Sequence, residues 1–183
     1  MNLCILDGSD RKHEIPRTDP RAVHILEVLH KQEGDSIRAG APDGSVGLAY
    51  LTSITDAAIH LSYEATGEAA PLRPIHVLIG TVRPIQAARL VKELTVLGVS
   101  SILFHPTELG EKSYTQSNFY RKQEYIRPAL EGAAQAGNPR LPSIRLVWSF
   151  TKAIACLEEI DADRFFCHLH RDALPLGTAP LQH

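Results

Sequence analysis

The sequence predicts an α/β fold in two parts: a small β-barrel or curled sheet over residues 1–68, then a mostly parallel α/β domain over residues 75–183. Three observations lead there. Short strand-like runs crowd the first third around a strong turn signal, as in small barrels. The stretch Gly67–Pro74 has no periodicity and holds two prolines, which suits a linker. Beyond it, apolar strand-like runs alternate with helical periodicity, the pattern of a parallel sheet with helices over its faces.

The elements follow in order. A helical stretch is expected around Asp19–His30, where His24 sits among Ile25, Val28 and Leu29 and reads as a histidine supporting the small domain. Strands Ser36–Ala39 and Val46–Leu51 flank the turn Pro42-Asp43-Gly44-Ser45, and Ile59–Tyr63 makes a third strand. After the linker, Ile75–Ile79 is a compact apolar strand. Pro84 suits the first turn of a helix, where its missing N–H costs nothing. Ala87, Leu90, Val91, Leu94 and Leu97 then mark one helical face, which Gly98 is placed to end. Val99–Phe104 is the next strand. A helix over Asn118–Ala136, bent near Pro128, leads to the break Gly137-Asn138-Pro139. A strand at Ile144–Trp148, a helix over Thr151–Ile160 capped by Ser149 or Thr151, and a fourth strand at Arg164–Leu169 complete the pattern.

Composition excludes several classes. With 44% hydrophobic and 22% charged residues the chain is of globular type. No apolar run approaches the roughly 20 residues of a membrane span, and the first residues do not form a signal peptide, so a cytoplasmic protein without membrane partners is expected. Three scattered cysteines, Cys4, Cys156 and Cys167, argue against a disulfide framework or a CxxC metal site. No dinucleotide, P-loop, zinc-protease or serine-hydrolase motif is present. Charge is uneven: residues 73–145 hold ten Lys/Arg against five Asp/Glu, whereas residues 1–72 hold six against eleven. The middle third is thus the polyanion-facing part.

Candidate site residues come from position and type. Arg83 lies on the loop at the carboxyl end of strand Ile75–Ile79, where a phosphate or RNA contact is reasonable. Arg121, Lys122 and Arg127 form a basic stripe on the expected helix, diluted by Glu124. Tyr114, Phe119, Tyr120 and Tyr125 interleave with these bases and could stack on RNA bases or serve as packing. The run His168-Leu169-His170-Arg171 is the most site-like. At a strand end His168 and His170 would share one face and border a ligand pocket; with no third ligand evident, no metal is expected.

These pieces resemble the RsmE family of ribosomal RNA methyltransferases over nearly all 183 residues. The resemblance is carried by His24-Ile25-Leu26-Glu27-Val28-Leu29-His30, then Gly34-Asp35, then Asp43-Gly44. Further on it is carried by the strand at 75–80, Arg83, Leu97-Gly98-Val99, Gln135 and Pro142-Ser143-Ile144. The chain departs from the family pattern at Val96 and Ala134, where the family carries glutamate, at Pro84, where it carries glycine, and at Asn138, where it carries arginine. The family's glycine-rich G-P-E-G-G loop and its L-G-x-x-x-L-R segment would begin past His183, so the chain is expected to stop short of them.

The resemblance implies a PUA-like barrel joined to a SPOUT domain with a carboxyl-terminal knot. It also implies an S-adenosylmethionine-dependent enzyme methylating N3 of a uridine in 16S ribosomal RNA on the small ribosomal subunit, as a homodimer. On that reading Arg83, Arg121, Lys122 and Arg127 serve RNA, and His168, Leu169, His170 and Arg171 border the methyl donor. No catalytic residue is assigned. The alternative is a non-catalytic RNA-binding module lacking the donor site.

Overall fold

The computed structural model of the chain describes residues 2–167 and 172–178. Its first part is a five-stranded curled sheet in the order β1-β3-β4-β5-β2, built from β1 (Cys4–Ile5), β2 (Lys12–Pro16), β3 (Ser36–Gly40), β4 (Ser45–Ile54) and β5 (Ala58–Glu68). All neighbours are antiparallel except β1 and β3. Bulges at Val46/Gly47 and Leu51/Ser53 bend the long β4–β5 ribbon. The bend encloses a core of Leu6, Ile15, Ile25, Ile37, Leu51, Ile59 and Leu61.

Two of these strands, β1 and β2, were not expected from sequence. β1 has only two residues, and β2 reads Lys-His-Glu-Ile-Pro, with Ile15 its one buried side chain. The expected helix at Asp19–His30 is also modified. Asp19 accepts a hydrogen bond from the Arg21 backbone N–H and caps the short helix α1 (Pro20–Val23). The chain then widens into a π-helical turn over His24–Val28, where the Leu29 N–H reaches the His24 carbonyl five residues back.

The second part is a three-stranded parallel sheet in the order β6-β7-β8, made of β6 (Arg73–Gly80), β7 (Val99–His105) and β8 (Ser143–Leu146). The strands β5 and β6 reach into the expected linker, so only residues 69–72 lie outside them. Pro74 is tolerated within β6 because β6 is an edge strand and its register slips between Arg73 and His76. Helix α2 (Pro84–Leu97) follows β6 and ends at Gly98 as expected. Its buried side chains are Ala87, Val91 and Thr95, spaced i, i+4, i+8, and Leu97 turns outward, 62% exposed.

The single helix expected over Asn118–Ala136 is two: α3 (Asn118–Arg121) and α4 (Ile126–Ala136). Gln123 adopts a left-handed φ of 57°, which breaks the helix there. Pro128 is not the bend; it occupies the first turn of α4, where no N–H partner is needed. Phe104, Phe119, Tyr120 and Tyr125 meet edge to face in the core between this segment and the sheet.

Helix α5 (Phe150–Glu158) is capped by the Ser149 hydroxyl, which accepts from the Lys152 N–H. The fourth strand expected at Arg164–Leu169 is not formed over its described part: residues 164–167 carry no strand pairing and are exposed. With Phe165 46% and Phe166 86% exposed, this segment lacks the apolar cover that a strand in a parallel sheet requires.

A third cluster joins the two parts. Leu3 and Ile5 of the amino-terminal sheet pack on Ala133 and Ala134 of α4, with Leu130 and Leu141 beside them. The N–H groups of Asn2 and Leu3 both donate to the Ala134 carbonyl at 3.1 Å. Nearby, the Arg140 guanidinium spans from the Ala69 carbonyl to the Glu68 carboxylate.

Candidate functional site

In a parallel sheet the strand carboxyl ends and the loops that leave them form the usual binding edge. Here that edge collects three loops. The β6–α2 loop carries Thr81, Val82 and Arg83; β7 ends at His105 and the loop after it begins with Pro106 and Thr107; the β8–α5 loop carries Val147, Trp148 and Ser149. Backbone hydrogen bonds extend the sheet one step further at both sides: the Thr81 N–H donates to the His105 carbonyl, and the Val147 N–H to the Phe104 carbonyl, each at 2.8 Å. Helices α2 and α5 both start here, so their positive amino ends face the same edge.

Arg83 stands where the sequence placed it, at the edge and exposed. Its Nε donates to the Tyr114 hydroxyl at 3.0 Å, a contact that holds the guanidinium in one orientation and raises its already high pKa. Next to it, the Tyr120 hydroxyl donates to the Val82 carbonyl at 3.0 Å and accepts from the Val82 N–H at 3.2 Å. Burial raises the pKa of that phenol. The two tyrosines therefore fix the β6–α2 loop from the side of α3.

Arg121 and Lys122 are exposed at the end of α3, the helix tied to this loop through Tyr120. Arg127 lies past the left-handed break, on α4, and its Nε contacts the Glu131 carboxylate at 3.5 Å. The three cations thus do not make one helical stripe, and Glu131 partly neutralises the last. Phe119, Tyr120 and Tyr125 are buried packing residues, which removes them as base-stacking candidates. Tyr114 acts through Arg83. The run His168-Leu169-His170-Arg171 lies outside the described residues.

Three residues at the edge were missed by sequence reasoning. His105 ends the central strand; its ring lies 5.3 Å from that of Phe150, and its Nδ1 is buried with no hydrogen-bond partner among the described residues. Trp148 and Phe150 are each 57% exposed. Placing the third strand of this part at Ile144–Trp148 hid Trp148 inside a ladder, whereas β8 stops at Leu146 and leaves it on the loop. The rule that strand carboxyl ends face ligands could have singled out all three.

Two cavities lie elsewhere. One of about 560 Å³ runs between α2 and α4, lined by Arg89, Lys92, Glu93, Val96, Leu97 and Gln135. Another, of about 220 Å³, sits beside β1 and β3 near Lys31 and Arg38. Neither contains a residue of the edge. Among the described residues no group of three or more His, Cys, Asp or Glu could hold a metal, and no helix is long and apolar enough to cross a membrane.

Comparison with known proteins identifies the family of the chain. The family model for an RNA methyltransferase domain matches residues 68–180. Curated relatives include the ribosomal RNA small subunit methyltransferase E 1 of Borreliella burgdorferi, 29% identical over 160 residues, which cover 87% of this chain and 67% of that protein. The ribosomal RNA small subunit methyltransferase E of Treponema pallidum is 35% identical over 148 residues, 79% of this chain and 56% of that protein. Part of each relative therefore has no counterpart here. Among solved structures, the ribosomal RNA small subunit methyltransferase E of Neisseria gonorrhoeae bound to S-adenosyl methionine superposes with a TM-score of 0.68 at 16% identity, covering 98% of this chain and 75% of that one. An rRNA-methyltransferase from Porphyromonas gingivalis, described as probable, reaches the same TM-score at 21% identity, covering 84% and 63%. From the family match, the curated relatives and the shared fold together, the chain belongs to the RsmE family of RNA methyltransferases.

Proposed function

We propose that the protein to which this chain belongs transfers a methyl group from S-adenosylmethionine to N3 of a uridine in 16S ribosomal RNA, working as a cytoplasmic homodimer on the small ribosomal subunit. The observation that carries this reading is the parallel-sheet edge within the matched residues 68–180, which Arg83, the amino ends of α2 and α5, and exposed aromatic rings share. The amino-terminal sheet takes the part of a PUA-like RNA-docking module, and residues 75–183 that of the SPOUT domain.

When bound, S-adenosylmethionine supplies an electrophilic methyl group on a sulfonium. The described part of the edge is an open rim, with Arg83, Trp148 and Phe150 facing solvent, rather than a closed slot for that molecule. No donor contact is therefore assigned to a described residue. On sequence grounds His168, Leu169, His170 and Arg171 remain the proposed donor-side border.

The chain's own groups deal with the RNA. Arg83 offers an oriented, permanently charged donor to a phosphate, and Arg121, Lys122 and Arg127 extend the cationic field around it. The amino ends of α2 and α5 favour negative charge at the same edge, both a phosphate and the N3 anion that forms when uridine loses its proton. Holding that nitrogen in line with the incoming methyl is a positioning task, which a rigid strand edge serves better than a loose loop.

The openness of the rim favours a second reading, an RNA-docking unit that binds no donor. Calorimetric titration of the chain with S-adenosylmethionine separates the two. Saturable one-site binding supports the methyltransferase reading for this chain, and primer extension on treated 16S RNA should then stop at the modified uridine, because N3 methylation blocks its pairing edge. Absence of heat with a folded sample would leave only RNA docking.

A further inference from the structure

Arg83 and the helix amino ends account for the backbone of a bound RNA, but not for Trp148 and Phe150. Two large apolar side chains, each 57% exposed, flank Ser149 at the mouth of the carboxyl edge. Exposed aromatics of this size are normally covered or used. The aromatics of α3 and its neighbourhood show the contrast, since Phe119, Tyr120 and Tyr125 are packed inward at 4–6% exposure.

The local structure holds this pair in place. The Val147 N–H bonds to the Phe104 carbonyl, so Trp148 leaves the sheet directly beside the end of the central strand. Ser149 caps α5, which makes Phe150 its first residue and fixes the backbone of both aromatics. One side of the Phe150 ring lies against His105, at 5.3 Å and tilted by 48°. That support keeps the ring from collapsing onto the sheet while more than half its surface stays open.

A ring held on a rigid element at the same strand edge as an exposed, oriented cation, with the central strand between them, is an arrangement that takes an unstacked base while the cation takes a phosphate. An apolar peptide would fit the rings, but it would leave Arg83 and two helix amino ends facing nothing. Charge at the edge thus selects a polyanion with flat apolar parts, which is single-stranded RNA.

We infer that Trp148 and Phe150, with His105 behind the second ring, form a stacking platform for an unpaired base of the RNA substrate. This rests on the RNA-directed reading above and adds to it the residues that would hold a base out of its helix. A stacked base leaves its pairing edge free, and that edge carries N3 of a uridine. His105 acts as a positioning residue here through Phe150.

The chain holds one tryptophan, Trp148, so its intrinsic fluorescence reports on this platform alone among tryptophan positions. The test titrates the chain with fluorescein-labelled decauridine RNA at low salt, following anisotropy of the label and, with unlabelled RNA, fluorescence of Trp148. The expected result is saturable quenching with the same midpoint as the anisotropy. Phe150→Ala and Trp148→Ala should each weaken binding roughly 5- to 150-fold, the range for loss of one base–aromatic stack. Trp148→Phe should retain affinity within about twofold, because the stacking face is kept. Trp148→Ala alters an exposed loop residue and guards against misfolding of the Phe150 variant, with circular dichroism as the check. Binding by anisotropy without quenching, and with wild-type affinity in Trp148→Ala, would overturn the platform while leaving the RNA reading intact. Absence of any anisotropy change would overturn both.

Discussion

At the scale of single residues, the chain places charge where it has partners. Arg21 is the clearest case. Its guanidinium donates to the Ile5 carbonyl at 2.8 Å, to Asp7 at 3.0 Å and to both oxygens of Asp19 at 2.9–3.0 Å, binding the start of α1 to β1. Its side chain is 23% exposed, so these bonds are largely shielded from water. Replacing it by methionine keeps the stem, removes the guanidinium bond to the Ile5 carbonyl and leaves Asp19 only the backbone N–H of residue 21. We expect Arg21→Met to lower the unfolding free energy by about 2 kcal/mol, measured by urea denaturation. The hydrogen bond from Arg21 also holds the Asp19 carboxyl below its usual 3.8. A depressed carboxylate contributes stability above its unfolded pKa and loses it as pH falls through the folded value. Asp19→Asn should therefore flatten the acid-side loss of stability below about pH 4, seen as a smaller drop in Tm between pH 5 and pH 2.5. Arg83 makes a different prediction, because it is exposed and its role is outward. Arg83→Ala should weaken single-stranded RNA binding for all sequences alike and reduce the slope of log affinity against log salt by roughly 0.7, one phosphate contact. An unchanged slope would remove Arg83 from the interface.

Among elements, the packing of α2 on α4 depends on one missing side chain. Gly132 faces the Lys92 carbonyl and Thr95; a Cβ there would lie 2.6 Å from the former and 2.9 Å from the Thr95 Cβ. Alanine is the better helix former by about 1 kcal/mol, yet the obstacle is backbone and a β-branched side chain, neither of which can step aside. Gly132→Ala should accordingly destabilise by roughly 1–3 kcal/mol, checked by thermal melting; a raised Tm would show that the helices separate freely. Sequence patterning located these helices because both bury small or apolar residues at regular intervals. Elements that patterning missed lack such a signal. β2 buries a single residue, and β1 is completed by its partners β3 and α4, which are distant in sequence. The break at Gln123 was equally silent, since nothing in Arg-Lys-Gln-Glu-Tyr marks a left-handed residue. Of the edge, Arg83 was legible because a lone arginine beside a helix-starting proline stands out. His105, Trp148 and Phe150 were not, because which residues end a strand is decided by tertiary hydrogen bonds rather than by local preference.

For the whole molecule, the decisive feature is the small cluster that joins its two parts. Leu3, 2% exposed, touches the first sheet through β1 and the second part through α4. Its loss should be felt on both sides. We expect Leu3→Ala to cost about 2–5 kcal/mol and to speed amide hydrogen exchange both in β3 and in α4. Faster exchange confined to β3 would mean that the two parts are stable independently. The same cluster also sets an order of events during synthesis. Leu3 and Ile5 leave the ribosome ahead of Leu130, Ala133, Ala134 and Leu141 that cover them, which are made about 130 residues later. At a translation rate of roughly 5–20 residues per second this leaves the nascent amino terminus with an uncovered apolar strand for on the order of 6–26 seconds. For that interval the growing chain depends on something other than its own fold to keep that strand from the wrong neighbour.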